Sequence, residues 1–110
     1  MRVPIPEKLR PILAELKRGL QEIYGDRLRA VVLFGSQARG EATEHSDVDV
    51  AVVLDDFDNA IDEIHRMDEV FWPPSLEHDL LLTAVPVREA DWRRSPRLLM
   101  RSIRGEGVAL

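Results

Sequence analysis

Residues 28–54 decide the fold of this chain, and they read LRAVVLFGSQARGEATEHSDVDVAVVL. Two apolar runs, Leu28–Phe34 and Val48–Leu54, have the length and β-branched content of strands, and the first is continuous enough to be buried on both faces. Gly35-Ser36 ends the first run, and Asp47 follows Ser36 by eleven residues to open the second. The stretch therefore predicts a small turn at the end of one strand and a group of carboxylates at the start of the next.

Helices are predicted on both sides of this pair of strands. Apolar residues recur at helical spacing over residues 7–24, which predicts an amphipathic helix. Asp58 is the predicted N-cap of a second helix that runs to about Phe71, and Pro73-Pro74 is expected to end it. The inner side of this second helix is predicted to carry Ile61, Ile64, Met67 and Val70.

The last third of the chain predicts further short elements. These are a strand over Leu76–Val85 that Pro86 closes, a helical turn over Glu89–Arg93, a further helix, and a short strand in 107–110. The helix is predicted to start at Ser95-Pro96, to end at Gly105 and to carry Leu99 and Ile103 on its apolar side. Helices thus alternate with three or four strands. The predicted class is α/β or α+β, with a small mixed sheet flanked by helices. Residues 1–110 are expected to form one domain.

Composition narrows the class of protein. The 110 residues carry a net charge of −5 and no cysteine, which excludes disulfides and thiolate metal sites. Residues 41–79 hold thirteen of the twenty acidic residues and only one Arg or Lys, and this acidic middle argues against a protein that coats nucleic acid. No apolar run approaches the length of a membrane span or of a signal peptide, so we expect a soluble cytoplasmic protein.

Gly35 and Ser36 form a candidate phosphate-binding turn. Glycine adopts backbone angles closed to other residues and lets a phosphate approach the main chain, while a serine hydroxyl and free backbone amides donate to the anion. The dipeptide alone is equally typical of an ordinary strand-ending turn. Neither the Gly-Lys-Ser/Thr loop nor the dinucleotide-binding fingerprint is present. Arg39 follows closely and either contacts phosphate or pairs with an acid to brace the turn.

Asp47 and Asp49 are the candidate metal ligands. Side chains two residues apart on a strand point to the same face, and Mg²⁺ is typically held by one or two carboxylates together with substrate phosphates. Solvation of the strand start also explains Asp47. It explains Asp49 poorly, because an unpaired carboxylate inside an apolar strand is costly and two close carboxylates repel unless a cation bridges them. The pattern predicts a Mg²⁺ site that binds a nucleoside triphosphate.

A third carboxylate is expected on a neighbouring strand. Asp79 lies in the leucine-rich run predicted as a strand, and Glu77 on the same face is the rival residue. A charge at the strand edge is the structural alternative. In a two-metal arrangement Asp47 and Asp49 would bridge both ions, and Asp79 would hold the ion that activates the attacking hydroxyl or would accept its proton.

Taken together, these motifs resemble the nucleotidyltransferase superfamily of DNA polymerase beta. The residues that carry the resemblance are Gly35-Ser36, Ala38-Arg39-Gly40, Ser46-Asp47-Val48-Asp49 and Asp79. The minimal nucleotidyltransferase (MNT) group is the most similar, because the segment from Ser95 to Val108 also resembles its usual ending. The resemblance implies the nucleotidyltransferase fold, ATP as substrate, nucleotide binding by Gly35, Ser36 and Arg39, and catalysis with Mg²⁺ held by Asp47, Asp49 and Asp79.

The resemblance also implies a partner. Larger members of the superfamily add a helical domain that grips the acceptor, and a chain of 110 residues has no room for one. Minimal members typically pair with a helical HEPN-domain protein, an RNase toxin, and act as its antitoxin. The implied activity is transfer of AMP from ATP to a tyrosine of that toxin. A hetero-oligomer is expected, without direct contact to nucleic acid.

Two other functions are compatible with the same sequence. The first is an antitoxin without catalysis, which would neutralise its partner by contact through the C-terminal helix and Trp92. The second is nucleotidyl transfer to a small molecule such as an aminoglycoside, with an acceptor pocket that a dimer partner would complete.

Overall fold

A mixed sheet lies at the centre of the chain. The computed structural model describes residues 5–35 and 47–110. Within them the sheet has the spatial order β3-β2-β1-β4, with strands β1 Leu28–Phe34, β2 Val48–Leu54, β3 Leu82–Arg88 and β4 Val108–Ala109. Strand β1 pairs antiparallel with β2 and with β4, whereas β2 and β3 run parallel. This confirms the predicted mixed α/β class and the bounds of the first two strands.

Four α-helices among the described residues flank the sheet. They are α1 Arg10–Tyr24, which a 3₁₀ turn at Glu7–Leu9 precedes, α2 Ala60–Glu77, α3 Glu89–Arg94 and α4 Leu98–Glu106. Helix α2 begins where the Asn59 side chain accepts hydrogen bonds from the backbone N–H groups of Ile61 and Asp62, at 2.9 and 3.3 Å. No helix in the described part of the chain is long and apolar enough to cross a membrane.

Alternation along the strands divides the core between two faces of the sheet. One face packs against α1 and α2, and its buried strand residues include Leu33, Val50 and Val52. The other face carries Val32, Ala51 and Val87, and it packs against Ile103 and the partly buried Trp92 and Met100. Successive strand residues point to opposite faces, so every side chain of β2 can be assigned to one layer.

Helix α2 and strand β3 differ most from the sequence-based expectation. Asn59, and not Asp58, is the N-cap, and the helix continues through Pro73 and Pro74 to Glu77. Buried Phe71, Pro74 and Ser75 anchor this extension, and the Ser75 hydroxyl donates to the Phe71 carbonyl at 2.7 Å. Tertiary packing therefore outweighs the loss of two backbone donors. The strand predicted over Leu76–Val85 is wrong: β3 begins six residues later and contains Pro86 instead of ending before it.

Smaller corrections concern which residues begin, end and line the helices. Helix α4 begins after Arg97 and ends at Glu106, so Ser95 is not its N-cap and Gly105 lies inside it. Ile103 is buried as predicted, but Leu99 is largely exposed. Ile61 was expected on the inner side of α2 and is also exposed, because the helix turns Met67 and Phe71 toward the core instead.

Arginines brace the end of the sheet where β2 and β3 finish. The Arg27 side chain pairs with Asp55 at 3.2 Å, and Arg88 pairs with Asp56 at 3.0 Å. Arg88 also donates to the Phe57 carbonyl and stacks over its ring at 4.5 Å. The Asp56 backbone N–H, followed by the Arg27 guanidinium, holds the pKa of Asp55 below its ordinary value. Gly35 and Asp47 lie at the opposite end, where β1 finishes and β2 and β3 begin.

Candidate functional site

Gly35 sits directly against Asp49 at the end of β1. Its φ of +77° lies in the left-handed region, which favours glycine. A Cβ on Gly35 would lie 2.5 Å from Oδ2 of Asp49, closer than real carbon and oxygen atoms approach without a bond. Phe34 pairs with Asp49 across the two strands, which fixes this approach through the sheet register. The absence of a side chain on Gly35 therefore lets the Asp49 carboxylate lie against the main chain at the end of β1.

Asp47 and Asp49 lie at the start of β2. Asp47 is exposed just before the strand, and Asp49 is partly buried within it. Asp49 alternates with Val48 and Val50, which are buried on the α1–α2 side, so its side chain belongs to the face that carries Ala51. Because Asp47 precedes the strand, its sharing of a face with Asp49 stays a prediction, as does the role of both residues as metal ligands.

Asp79 does not lie in a strand. It occupies the turn between α2 and β3 with a φ of 51°, a conformation that aspartate tolerates better than most residues. Glu77 is the last residue of α2, is exposed, and lies 4.0 Å from His78 Nε2. Among the described residues no three Asp, Glu or His side chains are grouped so as to hold a metal ion. The role of Asp79 as a third ligand stays a prediction.

Thr83 occupies the place beside Asp49 where the third carboxylate was expected. The parallel register between β2 and β3 pairs Asp49 with Thr83, so the two side chains share a face. Sequence reasoning missed Thr83 because it started β3 too early. Pro86 was the signal that could have corrected this, because an edge strand tolerates proline and could therefore continue through it. Ser36 and Arg39 lie outside the described residues, and their nucleotide-binding roles stay predictions.

The carboxylate oxygens of Asp47 and Asp49 are of the kind that binds a divalent cation. Asp47 and Asp49 carry hard carboxylate oxygens at the start of β2, and Gly35 adds no side chain between Asp49 Oδ2 and the main chain. A glycine at such a turn lets an anion approach main-chain amides closely. The arrangement suits chemistry on a nucleoside triphosphate better than covalent catalysis, for which the chain offers no cysteine.

A groove between helix α2 and the start of strand β3 is a second candidate for function. Helix α2 and the start of β3 enclose a cavity of about 730 Å³, which we name the α2–β3 groove and define by Asp68, Trp72, Leu76, Asp79, Leu81 and Thr83. Trp72, Leu76 and Leu81 are exposed large apolar side chains. The groove borders the edge of the sheet where β2 begins beside Asp47, because the Leu81 carbonyl accepts a hydrogen bond from Val48 N at 2.9 Å.

Known proteins resemble this chain both in sequence and in fold. The family model described as "Nucleotidyltransferase domain" matches residues 13–96. The Methanocaldococcus jannaschii protein "Putative protein adenylyltransferase MJ0141" is 34% identical over 74 residues, which is 67% of this chain and 74% of that protein. MJ0604 of the same organism carries the same description and is 45% identical over 51 residues, or 46% of this chain and 51% of that protein.

Two solved structures share the fold. A "putative nucleotidyltransferase from Sulfolobus solfataricus" superposes with a TM-score of 0.68 at 17% identity, covering 93% of this chain and 78% of that one. A mutant of the toxin–antitoxin pair MntA–HpeT superposes with a TM-score of 0.57 at 23% identity, covering 86% and 68%. The family model spans most of the sheet and both sides of the Gly35–Asp49 contact. This chain therefore belongs to the nucleotidyltransferase domain family and is a transferase.

Proposed function

We propose that the protein transfers AMP from ATP, with Mg²⁺, to a tyrosine hydroxyl of a HEPN-domain RNase toxin and thereby acts as its antitoxin. The close packing of Gly35 against the Asp49 carboxylate, which only a residue without a side chain permits, is the observation that carries the proposal. The choice of AMP and of a protein acceptor is supported by the relatives described as protein adenylyltransferases. A toxin partner is supported by the similarity to a structure of a toxin–antitoxin pair.

The proposed reaction exchanges one bond at the α-phosphorus of ATP. The acceptor oxygen forms a bond to that phosphorus, the bond to the oxygen that leads to the β-phosphate breaks, and pyrophosphate leaves. Bound Mg²⁺ would neutralise charge on the phosphates. Asp47 and Asp49 would hold it, Gly35 would admit a phosphate oxygen, and Ser36 would donate its hydroxyl. The hydroxyl proton would pass to a carboxylate, for which Asp79 is the predicted acceptor.

Transfer of label from ATP tests the proposal directly. The protein is incubated with ATP labelled at the α-phosphate, MgCl₂ and the HEPN-type product of an adjacent reading frame, and label on that product is measured. We expect label that Asp47→Asn and Asp49→Asn each reduce at least 100-fold, because each removes a predicted ligand. Asp26→Asn is the matched control, since Asp26 is an exposed aspartate in the turn before β1. Absence of label with the unmodified protein would refute the transferase proposal for this acceptor.

A single substitution separates the two roles of Asp79. Asn tolerates the left-handed conformation nearly as well as Asp, so Asp79→Asn keeps the turn and removes the charge. If Asp79 is the third carboxylate, transfer falls about as far as in Asp49→Asn. If it serves only the turn, activity and thermal stability both stay close to those of the unmodified protein.

Neutralisation by contact alone is the second candidate function. The exposed Trp72, Leu76 and Leu81 favour it, because exposed apolar patches mark interaction surfaces. Trp92 does not contribute such a surface, since it packs partly buried against the second core cluster. A double variant of Asp47→Asn and Asp49→Asn that still neutralises the toxin fully would favour this function. An aminoglycoside in place of the toxin tests transfer to a small molecule in the same assay.

A further inference from the structure

The α2–β3 groove is an exposed apolar surface with an acidic border. Trp72, Leu76 and Leu81 are 56%, 73% and 58% exposed, which is unusual for side chains of this size gathered at one cavity. Asp68 and Asp79 are the charged residues that line the cavity, and no basic side chain is among its described lining residues. Such a combination fits a ligand that is apolar on one side and positively charged along its flanks.

The edge strand beside the groove restricts the form of that ligand. Strand β3 has β2 as its neighbour in the described sheet and an open edge on its other side. Pro86 in the middle of β3 lacks a backbone N–H, which disfavours the addition of a further strand. A helix that inserts apolar side chains needs no backbone hydrogen bonds from the edge, so it suits this groove better than an extended segment.

The position of the groove relates it to the catalytic edge. Thr83 lines the groove and is also paired in register with Asp49. A helix in the groove would lie along the β3 edge of the sheet, one strand spacing of about 4.8 Å from β2, although Asp49 points to the α3–α4 face and α2 covers the opposite one. A protein held there would have its adjoining segments within reach of the nucleotide site.

We propose that the α2–β3 groove docks the acceptor protein through an amphipathic helix with basic flanks, and so delivers its hydroxyl to the site. This inference rests on the proposed function for the identity of the acceptor, but docking itself requires neither ATP nor metal.

Peptide binding tests the charge and shape of the groove. The probes are two fluorescent helix-forming peptides of 18 residues with leucine at positions i, i+3, i+4 and i+7, one with lysine and one with glutamate at the other positions. Anisotropy is measured without ATP or metal on the Asp49→Asn protein. We expect the lysine peptide to bind at least tenfold more tightly at 50 mM salt, with a smaller advantage at 300 mM because salt screens the acidic border. Equal affinity for both peptides overturns the proposal.

Substitutions at exposed positions test the location. Leu76→Ser and Leu81→Ser together should weaken binding of the lysine peptide about tenfold, while Leu98→Ser, on α4 and 81% exposed, should leave it unchanged. All three leucines are exposed, so the fold should survive, and circular dichroism checks this. Unchanged binding by the Leu76/Leu81 variant overturns the location. Concentration-dependent self-association that the Leu76→Ser, Leu81→Ser variant abolishes would assign the groove to a second copy and would also overturn the proposal.

Transfer kinetics separate failure of docking from failure of the proposed function. With the active protein and the HEPN-type acceptor, the Leu76→Ser, Leu81→Ser variant should raise KM for the acceptor about tenfold with kcat unchanged, because docking is lost but chemistry is not. Normal KM with intact transfer overturns the groove proposal and leaves the transferase standing. Peptide binding without any transfer supports docking in the α2–β3 groove and refutes the proposed AMP transfer to this acceptor.

Discussion

Replacing Gly35 by alanine is the sharpest test of the site geometry. Two costs can be worked out from the structure. A non-glycine residue at a φ of +77° loses about 1–2 kcal/mol. The new methyl group would also lie 2.5 Å from Asp49 Oδ2, and because unbonded atoms prefer about 3.5 Å, the carboxylate must move by about 1 Å. A displacement of about 1 Å at a reacting centre costs about 100-fold in rate.

Gly25 provides a matched control for the backbone cost. It also has a positive φ, 55°, but a Cβ placed on it meets nothing within 4 Å. Gly25→Ala and Gly35→Ala should therefore both lower the melting temperature, by about 4–8 °C for each kcal/mol lost. Only Gly35→Ala should reduce AMP transfer about 100-fold and weaken Mg²⁺-dependent ATP binding in calorimetry. Wild-type transfer by Gly35→Ala, or an equal loss in Gly25→Ala, would refute the argument that the close approach of Asp49 to Gly35 is required.

Three further substitutions test the framework. Tyr24 donates to Glu63 at 2.8 Å inside the core, so Tyr24→Phe should lower the free energy of unfolding by about 1–3 kcal/mol in urea titrations. Burial and this hydrogen bond raise the pKa of the Tyr24 phenol, so the stability it contributes should be complete below its ordinary value of 10.0 and decline as pH rises above it, and Tyr24→Phe should lack this decline. Arg104 donates to the carbonyls of Trp92 and Ser95 at 2.7 Å each, and Arg104→Lys should fail to restore the stability lost in Arg104→Ala, about 1–2 kcal/mol, because lysine lacks the planar fork. Asn59→Ala should cost about 1 kcal/mol by removing the α2 cap, whereas Asn59→Asp should be nearly neutral in thermal melts.

The sequence predicts the elements around Gly35 and Asp49 well because their signals are local. Strands β1 and β2 are largely apolar runs bounded by glycine and aspartate, and their observed bounds match the predicted ones. The face that Asp49 occupies follows from strand periodicity alone. These are also the residues on which the motif resemblance depends, so local pattern and family pattern reinforce each other.

Asp79 shows where local signals fail. The Pro73-Pro74 pair looks like a helix end, and the leucines that follow look like the start of a strand. In the structure Phe71, Pro74 and Ser75 pack against the rest of the molecule, and this keeps the residues up to Glu77 helical. The start of β3 moves accordingly, Asp79 falls in a turn, and Thr83 comes to lie beside Asp49. Packing between segments that are distant in sequence sets where α2 ends and β3 begins, and this packing cannot be inferred from local sequence patterns.

The division of the core between the two sheet faces has a consequence for motion. Fifteen buried residues of the described chain gather on the α1–α2 side, but only six on the side of α3 and α4. Helix α3 has six residues and none of them is buried. Local opening costs least where few apolar contacts must break, so α3 and α4 should separate from the sheet far more often than α1 and α2 do. Asp49 faces this layer, which has fewer buried residues. Opening of α3 and α4 should therefore uncover the face that carries Asp49, while the α1–α2 layer keeps Gly35 and Asp49 in register.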